Sequence, residues 1–501
     1  SSPSASEVNF ATLAGEAGQW LAELIRIDTT NPPGNELAAA RYLAGILEKE
    51  GIPAEVIESA PGRGIVIARL RSAPVPDPSR ALLLLGHTDV VGVQREKWTV
   101  DPFGGVVKDG YLYGRGALDM KGMVIANLAV VVALKRQGVR LNRDVIFLAE
   151  GDEEAGGEHG IEFAVRNHWQ KIAAGFAINE GGRVAVRDGK PFYVGVQTAE
   201  KVPVNVEVIA TGPSGHASVP RSDNPVGHLA AAIAKIFAYE PPAKPNTVAR
   251  RFFEGLAKVE EAGNAKWMKA LETPERMQQA ARRLGETDPV WGAMLRNTIA
   301  PTILRAGIRN NVVPSSASAT LNIRLLPGES VHALVEELKK AVNDPQVRFQ
   351  IGQATRQHAP PSALDSELYQ AIERVSGAVF PGVPVVPLMS TWATDSSQLR
   401  VRNVQAYGLI PFPLTAEEER RMHADDERIP LASFQKGIEF LYAIVAEFVG
   451  VPASAGTEPA KTDEKDAGPS SAVGEFRVNK MPALGASKGA ARTAAVRKAR
   501  Q

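Results

Sequence analysis

The sequence predicts an α/β protein in which a mixed, mostly parallel sheet is sandwiched by helices and carries an inserted α+β unit. Three observations support this prediction. Apolar runs with strand character alternate with helical stretches over residues 12–199, which is typical of a largely parallel sheet. From residue 202 the strand-like runs alternate apolar and polar residues, as strands with one exposed face do. The first pattern returns over residues 364–451.

The first predicted elements are two helices joined by a turn. Residues 15–27 carry an apolar face at helical spacing, Asn31-Pro32-Pro33-Gly34 breaks the chain, and residues 36–49 resume the helical periodicity. The predicted elements that follow are a strand at 81–85, a helix at 120–135, a strand at 144–149, a helix at 158–170 and a strand at 175–178. This order favours parallel strands connected by helices.

The inserted unit is predicted from a second series of elements. They are strands at 202–210, 317–325 and 347–352 and helices at 224–239 and 331–342, with a mostly helical, Glu-, Lys-, Arg- and Ala-rich insert at 240–300. We therefore expect a discontinuous α/β domain at 1–199 and 355–450 and an inserted domain at 200–354. Residues 451–501 are rich in Ala, Gly, Ser, Pro and Lys, and we expect a disordered tail because they have little apolar surface to bury.

Composition excludes several classes of protein and site. The 501 residues include 57 Lys and Arg against 56 Asp and Glu, a balance that indicates neither a nucleic-acid partner nor a membrane surface. No apolar run is long enough for a membrane span. The absence of cysteine excludes disulfides and thiolate ligands, so a metal must be held by carboxylates and some of the eight histidines. The first residue is Ser1 rather than Met, which fits a removed leader and favours a secreted or periplasmic protein over a cytoplasmic one.

Side chains with metal-ligand chemistry follow successive predicted strands or open the helix between them. They are, in chain order, His87 with Asp89, Asp119, Glu153 with Glu154, and Glu180. Each has an ordinary explanation when taken alone, such as a histidine bonded to a loop, an aspartate that caps a helix, or a solvated acidic loop. Together they predict a divalent metal site, because imidazole and carboxylate ligands suit Zn²⁺, Mn²⁺ or Co²⁺. A pair of ions would need a bridging carboxylate and a nearby general base.

Longer motifs surround these residues. They are His87-Thr-Asp89-Val-Val, Asp101-Pro-Phe103, Gly114-Arg-Gly-Ala-Leu-Asp119-Met-Lys121-Gly, Glu180-Gly-Gly, Gly212-Pro-Ser-Gly215-His216-Ala-Ser-Val-Pro220, Asn311-Val-Val-Pro314, Thr394-Asp395 and His423. In this order they resemble the M20 metallopeptidases, which include carboxypeptidases, aminoacylases and succinyl-diaminopimelate desuccinylases. The resemblance covers about residues 12–450. Around residues 295–302 it is nearest to the carboxypeptidase S and N-acyl-amino-acid hydrolase branch.

The resemblance implies that residues 1–199 and 355–450 form a zinc-peptidase-like catalytic domain with two divalent ions, zinc first and cobalt or manganese as alternatives. The ligands carried over by motif are His87, Asp119 and Glu180 for one ion and Asp119, Glu154 and His423 for the other. Glu153 would be the general base, and Asp89 would orient His87. A cis peptide bond between Asp119 and Met120 is also implied.

The resemblance gives the inserted domain, 200–354, the role of a lid and dimerisation unit. His216 would reach the active site of the partner subunit in a homodimer and stabilise the oxyanion. Asn311 and Arg324 would bind the free carboxylate of the substrate, for which the guanidinium fork is well suited. Without the family, the sequence favours an ordinary turn histidine at His216, and Arg324 would be a surface ion-pair partner.

The implied function is hydrolysis of an amide bond with release of an amino acid that has a free α-carboxylate, from a small peptide or an N-acyl amino acid. A biosynthetic deacylase of the desuccinylase or acetylornithine type is the alternative enzyme. A catalytically dead binding or scaffold protein is the alternative of another class, which the intact ligand set and Glu153 disfavour. Trp392 stands where the family often has a small residue and leaves the pocket shape open.

Overall fold

The computed structural model describes residues 8–72, 77–354, 356 and 358–451. The helices in these ranges are α1 (Phe10–Arg26), α2 (Glu36–Lys49), α3 (Lys121–Gln137), α4 (Ile161–Asn167), α5 (Trp169–Ile172), α6 (Pro225–Ala238), α7 (Thr247–Leu256), α8 (Ala262–Ala270), α9 (Pro274–Thr287), α10 (Pro289–Leu295), α11 (Val331–Val342), α12 (Glu367–Val379), α13 (Ser396–Arg400), α14 (Ala416–Glu419) and α15 (Leu431–Phe448). None of them combines the length and the apolar composition that a membrane crossing requires.

The strands in the same ranges are β1 (Ala54–Ala60), β2 (Arg63–Leu70), β3 (Leu82–His87), β4 (Val106–Lys108), β5 (Tyr111–Tyr113), β6 (Val145–Glu150), β7 (Phe176–Asn179), β8 (Arg183–Arg187), β9 (Lys190–Glu200), β10 (Val202–Thr211), β11 (Gly215–His216), β12 (Thr298–Ala306), β13 (Val312–Val313), β14 (Ser316–Leu325), β15 (Val347–Ala354), β16 (Val385–Ser390), β17 (Gln405–Gly408), β18 (Pro413–Thr415) and β19 (Arg428–Pro430). The predicted tail lies outside the described residues from residue 452 onward.

The main sheet is mixed, with a parallel centre. Its strand order is β1-β2-β6-β3-β7-β17-β9-β8-β18, and β16 pairs with β9. The neighbours β6, β3, β7 and β17 are mutually parallel, whereas β1, β2 and the pair of β8 with β9 add antiparallel edges. Every residue of β3 and β6 is buried, as expected for strands covered on both faces. The predicted fold class is confirmed.

Helices cover both faces of this sheet. On one face α1, α3 and α15 pack into the largest apolar core, and residues 121–134 of α3 are all buried. On the other face α4 contributes Ile161 and Ala164, which pack with Leu83, Ile146 and Leu399. The sheet is therefore the middle layer of three, and its strand ends are held rigidly at the edge where the loops lie.

A second, four-stranded antiparallel sheet has the order β12-β14-β10-β15. Buried positions alternate along β14, because α6 and α11 cover only one face of the sheet. β10 follows β9 after a single residue, Lys201, so the two sheets are joined directly. This is the α+β unit that the alternating strands predict; the domain boundaries at 199/200 and 354/355 stay a prediction.

The helical insert packs on the main sheet. α7 to α10 form an apolar cluster that includes Phe252 and Leu284 and also Val386 and Leu388 of β16. The predicted division assigns these helices to the inserted domain, but their apolar faces meet β16 and β9 rather than the four-stranded sheet. Lys201 strengthens this junction, since its buried Nζ donates hydrogen bonds to the carbonyl oxygens of Ala293 and Arg296.

Candidate metal centre

The candidate site lies where the parallel strands of the main sheet end. β3 ends at His87, β6 is followed by Glu153 and Glu154, and β7 is followed by Glu180. Because β6, β3 and β7 are neighbours and parallel, their carboxyl ends meet at one edge of the sheet. Asp119 reaches this edge from the loop before α3. Residues that are far apart in the sequence therefore lie close together in the fold.

The five predicted ligands form two overlapping groups that share Asp119. His87 Nε2 lies 3.1 Å from Asp119 Oδ1 and 3.7 Å from Glu180 Oε1. His423 Nε2 lies 3.1 Å from Asp119 Oδ2 and 2.9 Å from Glu154 Oε1. In each group one atom per residue falls within 4.8 Å of the others, and His87, Glu153 and Glu154 form a third group of this kind. Ligands around a tetrahedral zinc lie about 3.3 Å apart, so both groups fit a divalent ion.

The electrostatics of these groups also fit a cation. Burial and the charge of Asp119 raise the pKa of Glu180 to about 8. Hydrogen bonds to Asp119 and Glu154 raise the pKa of His423 to about 10. Burial alone would raise the pKa of Asp119, but the hydrogen bonds from His423 and His87 hold it well below its usual range. The carboxylates thus draw protons onto the imidazoles, and a divalent ion would replace those protons.

Asp89 connects one ligand with the acidic pair. It is fully buried, and its backbone oxygen lies 3.0 Å from His87 Nδ1. A carbonyl oxygen only accepts, so Nδ1 carries the proton and Nε2 faces the carboxylates. The two carboxylate oxygens of Asp89 accept hydrogen bonds from the backbone N–H groups of Glu153 and Glu154, each at 3.2 Å. Asp89 therefore contacts both His87 and the backbone that carries the acidic pair.

A chain of polar residues behind Asp89 was not predicted from the sequence. Asn31 Nδ2 donates to Asp89 Oδ2 at 2.9 Å and to Asp152 Oδ1 at 3.0 Å. Arg63 donates to Asp152 at 2.9 Å and is paired with the buried Glu36. The Asn31-Pro-Pro-Gly turn was visible as a break between helices, but nothing in its pattern indicates that its first residue contacts Asp89, 58 positions away.

The loop that carries Asp119 is held by Glu427. Glu427 is fully buried, and its Oε1 accepts hydrogen bonds from the backbone N–H groups of Leu118 at 2.8 Å and Asp119 at 3.0 Å. Its other oxygen accepts from Arg115 at 2.8 Å. The Asp119–Met120 peptide bond is cis, which confirms the expectation. Since Glu427 follows His423 by four residues, one segment carries a predicted ligand and also holds the loop of the predicted shared ligand, Asp119.

Glu153 has its own buried surroundings. Burial and the charge of Glu180 raise the pKa of its carboxyl group well above the usual range. Arg356 Nη2 lies 3.3 Å from Glu153 Oε1, and Arg356 Nη1 donates to Asp395 Oδ1 at 2.6 Å. Burial and the charge of Asp395 raise the pKa of Glu150 well above its usual range. Arg356 lies outside every predicted motif, whereas the Thr394-Asp395 motif was recognised without a role.

The three remaining predicted residues lie on the inserted unit. His216 is exposed, and its Nδ1 lies 2.6 Å from Ser218 Oγ. Asn311 lies beside it, since its carbonyl oxygen accepts a hydrogen bond from Ala217 N–H at 3.0 Å. Arg324 is half-buried in β14, and its Nε donates to Asn322 at 3.1 Å. Within the described ranges, the hydrogen bonds and ion pairs of these three residues do not extend to the ligand groups.

Comparisons with known proteins show which family, proteins and structures this chain is similar to. The sequence model of peptidase family M20/M25/M40 matches residues 83–447. The chain is 28% identical over 377 residues to a probable carboxypeptidase S-like 2 from Dictyostelium discoideum, covering 73% of this chain and 71% of that protein. It is 31% identical over 375 residues to the N-fatty-acyl-amino acid synthase/hydrolase PM20D1 from Xenopus tropicalis, covering 72% and 71%. The structure of an M20 family metallo-carboxypeptidase from Sulfolobus solfataricus superimposes with a TM-score of 0.66 at 22% identity, covering 86% of this chain and 99% of that one, and this likeness shows the fold.

Proposed function

The chain belongs to peptidase family M20/M25/M40, and from that premise we propose that it hydrolyses an amide bond to release an amino acid with a free α-carboxylate. Family membership makes it a hydrolase of the metallopeptidase and amidohydrolase type. The observation that carries the finer proposal is the pair of ligand groups that share Asp119, with Glu153 beside them. Both the family and this arrangement stand against a dead scaffold.

Two divalent ions fit the proposed ligand sets. His87, Asp119 and Glu180 would hold one ion, and Asp119, Glu154 and His423 would hold the other. Zinc suits nitrogen and oxygen donors at these separations, and Co²⁺ and Mn²⁺ accept the same ligands. When bound, such a pair acidifies a water molecule and polarises the carbonyl group of the scissile amide.

The residues of the chain then have separate tasks. Glu153 would take a proton from the attacking water and return it to the nitrogen of the leaving amine. Its burial suits this exchange, because a raised carboxyl pKa brings its proton affinity closer to neutral pH. Asp89 keeps the Nδ1 proton of His87 and so leaves Nε2 free for a metal ion.

The substrate class follows from the inserted unit and from the relatives. Arg324 and Asn311 would bind the carboxylate of the released amino acid. The two relatives are named for a carboxypeptidase and for a hydrolase of N-fatty-acyl amino acids, and both kinds of substrate share that carboxylate. Cleavage of a C-terminal peptide bond and removal of an N-acyl group are therefore the two forms of the proposal. A biosynthetic deacylase of the desuccinylase or acetylornithine type is the alternative.

We further propose that the active form is a homodimer in which His216 acts on the partner's site. His216 is exposed on β11, and within the described ranges it has no hydrogen bond to the ligand groups of its own chain. A two-fold dimer would place the inserted unit of each chain against the cleft of the other. There the imidazole would stabilise the negative charge that develops on the carbonyl oxygen.

A substrate screen tests the proposed function directly. The metal-free chain is loaded with zinc, bound metal is counted, and released amine is measured with N-acetyl, N-lauroyl and N-succinyl amino acids and with dipeptides. We expect release from substrates with a free carboxylate and little from their amides. Turnover of the N-succinyl substrates alone would favour the biosynthetic deacylase. No release by a chain that holds two ions would contradict the proposal.

A further inference from the structure

We propose that Arg356, anchored by Asp395, is a positioning residue that holds the carboxylate of Glu153 in place for proton transfer. The inference rests on the general-base role proposed above for Glu153. It assigns a task to a residue that lies outside the predicted motifs and outside both ligand groups. Three observations support the inference. They are the contacts of Arg356, the space around its side chain and its position in the chain.

The guanidinium group of Arg356 bridges two acids. Its Nη2 is 3.3 Å from Glu153 Oε1 and equally far from the carbonyl oxygen of Glu153, so it contacts both the side chain and the backbone of that residue. Its Nη1 donates to Asp395 Oδ1 at 2.6 Å. The side chains of Arg356 and Asp395 are 6% and 2% exposed, so water screens this interaction little. A planar guanidinium held at two ends restricts the orientation of Glu153.

The turn after the acidic pair leaves room for this bridge. Gly157 has a φ of +85°, and a Cβ atom there would lie 3.2 Å from Asp395 Oδ1 and 3.5 Å from Arg356 Nη1. A larger residue would therefore adopt a strained backbone and crowd the ion pair. Gly157, four residues after Glu153, therefore leaves space for the side chains that hold Glu153.

Three distant parts of the chain meet at the bridge. Glu153 follows β6, Asp395 follows β16, and Arg356 lies on the connection by which the chain returns from β15 of the inserted sheet to α12 of the main domain. The ion pairs of Arg356 are to Glu153 and Asp395, and neither residue is one of the five proposed ligands. Loss of Arg356 should consequently disturb proton transfer while leaving metal binding largely intact.

The alternative is an ion pair that only stabilises the fold, and kinetics of variants separate the two. With the zinc-loaded full chain, Arg356→Ala should lower kcat about 10- to 100-fold with little change in KM, the range typical for residues that orient a catalytic group. Arg356→Lys should lose less activity than Arg356→Ala, because it keeps a positive charge. It should not reach wild-type kcat, because one ammonium group cannot span both acids. Added guanidinium should raise kcat of Arg356→Ala and not that of the wild type. Zinc affinity, measured by chelator competition, should stay near that of the wild type.

Arg400 provides a matched control. It is also buried, lies five residues after Asp395, and is paired with Glu200 at 3.5 Å rather than with Glu153. Arg400→Lys should lower thermal stability at least as much as Arg356→Lys but leave kcat per bound zinc near wild type. Equal effects of the two substitutions on kcat would make the bridge of Arg356 an ordinary structural ion pair and would overturn the inference.

A double variant separates this inference from the base role itself. If Arg356 acts through Glu153, Arg356→Ala should cost little further activity in a Glu153→Gln background. An undiminished loss there would show that Arg356 acts independently of Glu153. Should Glu153→Gln alone stay active, the base role fails. Should Glu153→Gln be inactive while Arg356→Ala keeps wild-type kcat, only the positioning role fails. A loss of zinc that matches the loss of kcat would also refute it.

Discussion

The site residues that the sequence predicts divide into two regions of the molecule. His87, Glu154 and Glu180 follow neighbouring strands of one sheet, and Asp119 and His423 meet them at distances near 3 Å. His216, Asn311 and Arg324 lie on the other sheet, and their contacts within the described ranges are local. One region is assembled by the topology of a single sheet. If the other region acts on the substrate as proposed, a second event such as closure or dimerisation has to bring it there.

The two regions also differ in the charge that they carry. The strand-end region concentrates buried carboxylates, and burial together with the charge of Asp119 raises the pKa of Glu180 to about 8, which favours a cation there. In the inserted region Arg324 is half-buried, and burial lowers the pKa of its guanidinium. A carboxylate bound there would restore the interaction that burial removes. The first region is thus suited to metal ions, and the second to the carboxylate end of a substrate.

The largest effect is expected in the strand-end region, from the two adjacent acids. Glu153→Gln should lower kcat about 10²- to 10⁴-fold with wild-type metal content, because an amide cannot accept the proton of the attacking water. Glu154→Gln should instead weaken one metal site, since Glu154 Oε1 lies 2.9 Å from His423 Nε2. Metal content by mass spectrometry, measured beside kcat, distinguishes them. Loss of metal in Glu153→Gln with retention in Glu154→Gln would reverse the two assignments.

The sequence predicts the centre of the main sheet better than its edges. β3, α3 and β6 begin and end within a few residues of the predicted elements, because a buried parallel strand reads as one apolar run. The antiparallel pair of β1 and β2 was not predicted, since the residues of β1 are half-buried or exposed and do not alternate regularly. The helix predicted at 158–170 is interrupted at His168, between α4 and α5. Local patterns do not encode how an edge strand or a short helix packs.

The same limit applies to the site. The proximity of the side chains at strand ends was predictable because their positions follow from the strands themselves. Asn31 and Arg356 were not, because each touches its partner across a sequence separation of 58 and 203 residues, respectively. From the sequence alone, an asparagine after a helix or an arginine after a strand is expected to be an ordinary surface residue. Only the fold shows that these two are buried. What surrounds a ligand depends on packing between distant segments, and a single sequence does not display it.

The next largest effect is expected from His216. It shows whether the inserted region acts on the active site of its own chain or on that of the partner. His216→Ala should lower kcat about 10²- to 10³-fold, as loss of an oxyanion donor does. When His216→Ala and Glu153→Ala chains are mixed and exchange subunits, activity should recover to roughly a quarter of wild type, because half the dimers carry one intact composite site. The assay follows amine release after verified exchange. If the active chain is a monomer, or if activity does not recover after exchange, His216 either acts on the site of its own chain or takes no part in the reaction.

A smaller effect concerns the substrate carboxylate. Arg324→Ala should raise KM about 10- to 100-fold for substrates with a free carboxylate, the loss expected for a hydrogen bond between charged groups. Amidated substrates should be poor for the wild type and change little. Steady-state kinetics on matched acid and amide pairs measures the difference. Asn322→Ala is a control, because it removes the Oδ1 that accepts from Arg324 Nε, together with the hydrogen bond from Asn322 Nδ2 to Asn205 Oδ1, and leaves the guanidinium in the chain. An equal loss on acids and amides would make Arg324 structural.

The smallest effect is one of stability in the inserted region, away from the ligand groups. His228 on α6 lies 2.5 Å from Asp344 Oδ2, its Nε2 is 3.0 Å from the carbonyl oxygen of Ser222, and the carboxylate of Asp223 is nearby. The hydrogen bond with Asp344 raises the pKa of His228. A raised pKa means that this stabilisation is complete below the unfolded value, about 6.5, and is lost as pH rises through the folded value.

His228→Gln should therefore destabilise the chain by no more than about 1 kcal/mol at pH 5.5 and by less at pH 8.5, as a partly exposed pair does. Urea unfolding at both pH values measures the change, with the exposed His332→Gln as the control for loss of an imidazole. A larger cost at pH 8.5 than at pH 5.5 would contradict the sign of this linkage. Because His228 binds the loop that follows His216, a confirmed linkage would also show that pH affects the inserted region independently of the metal ligands.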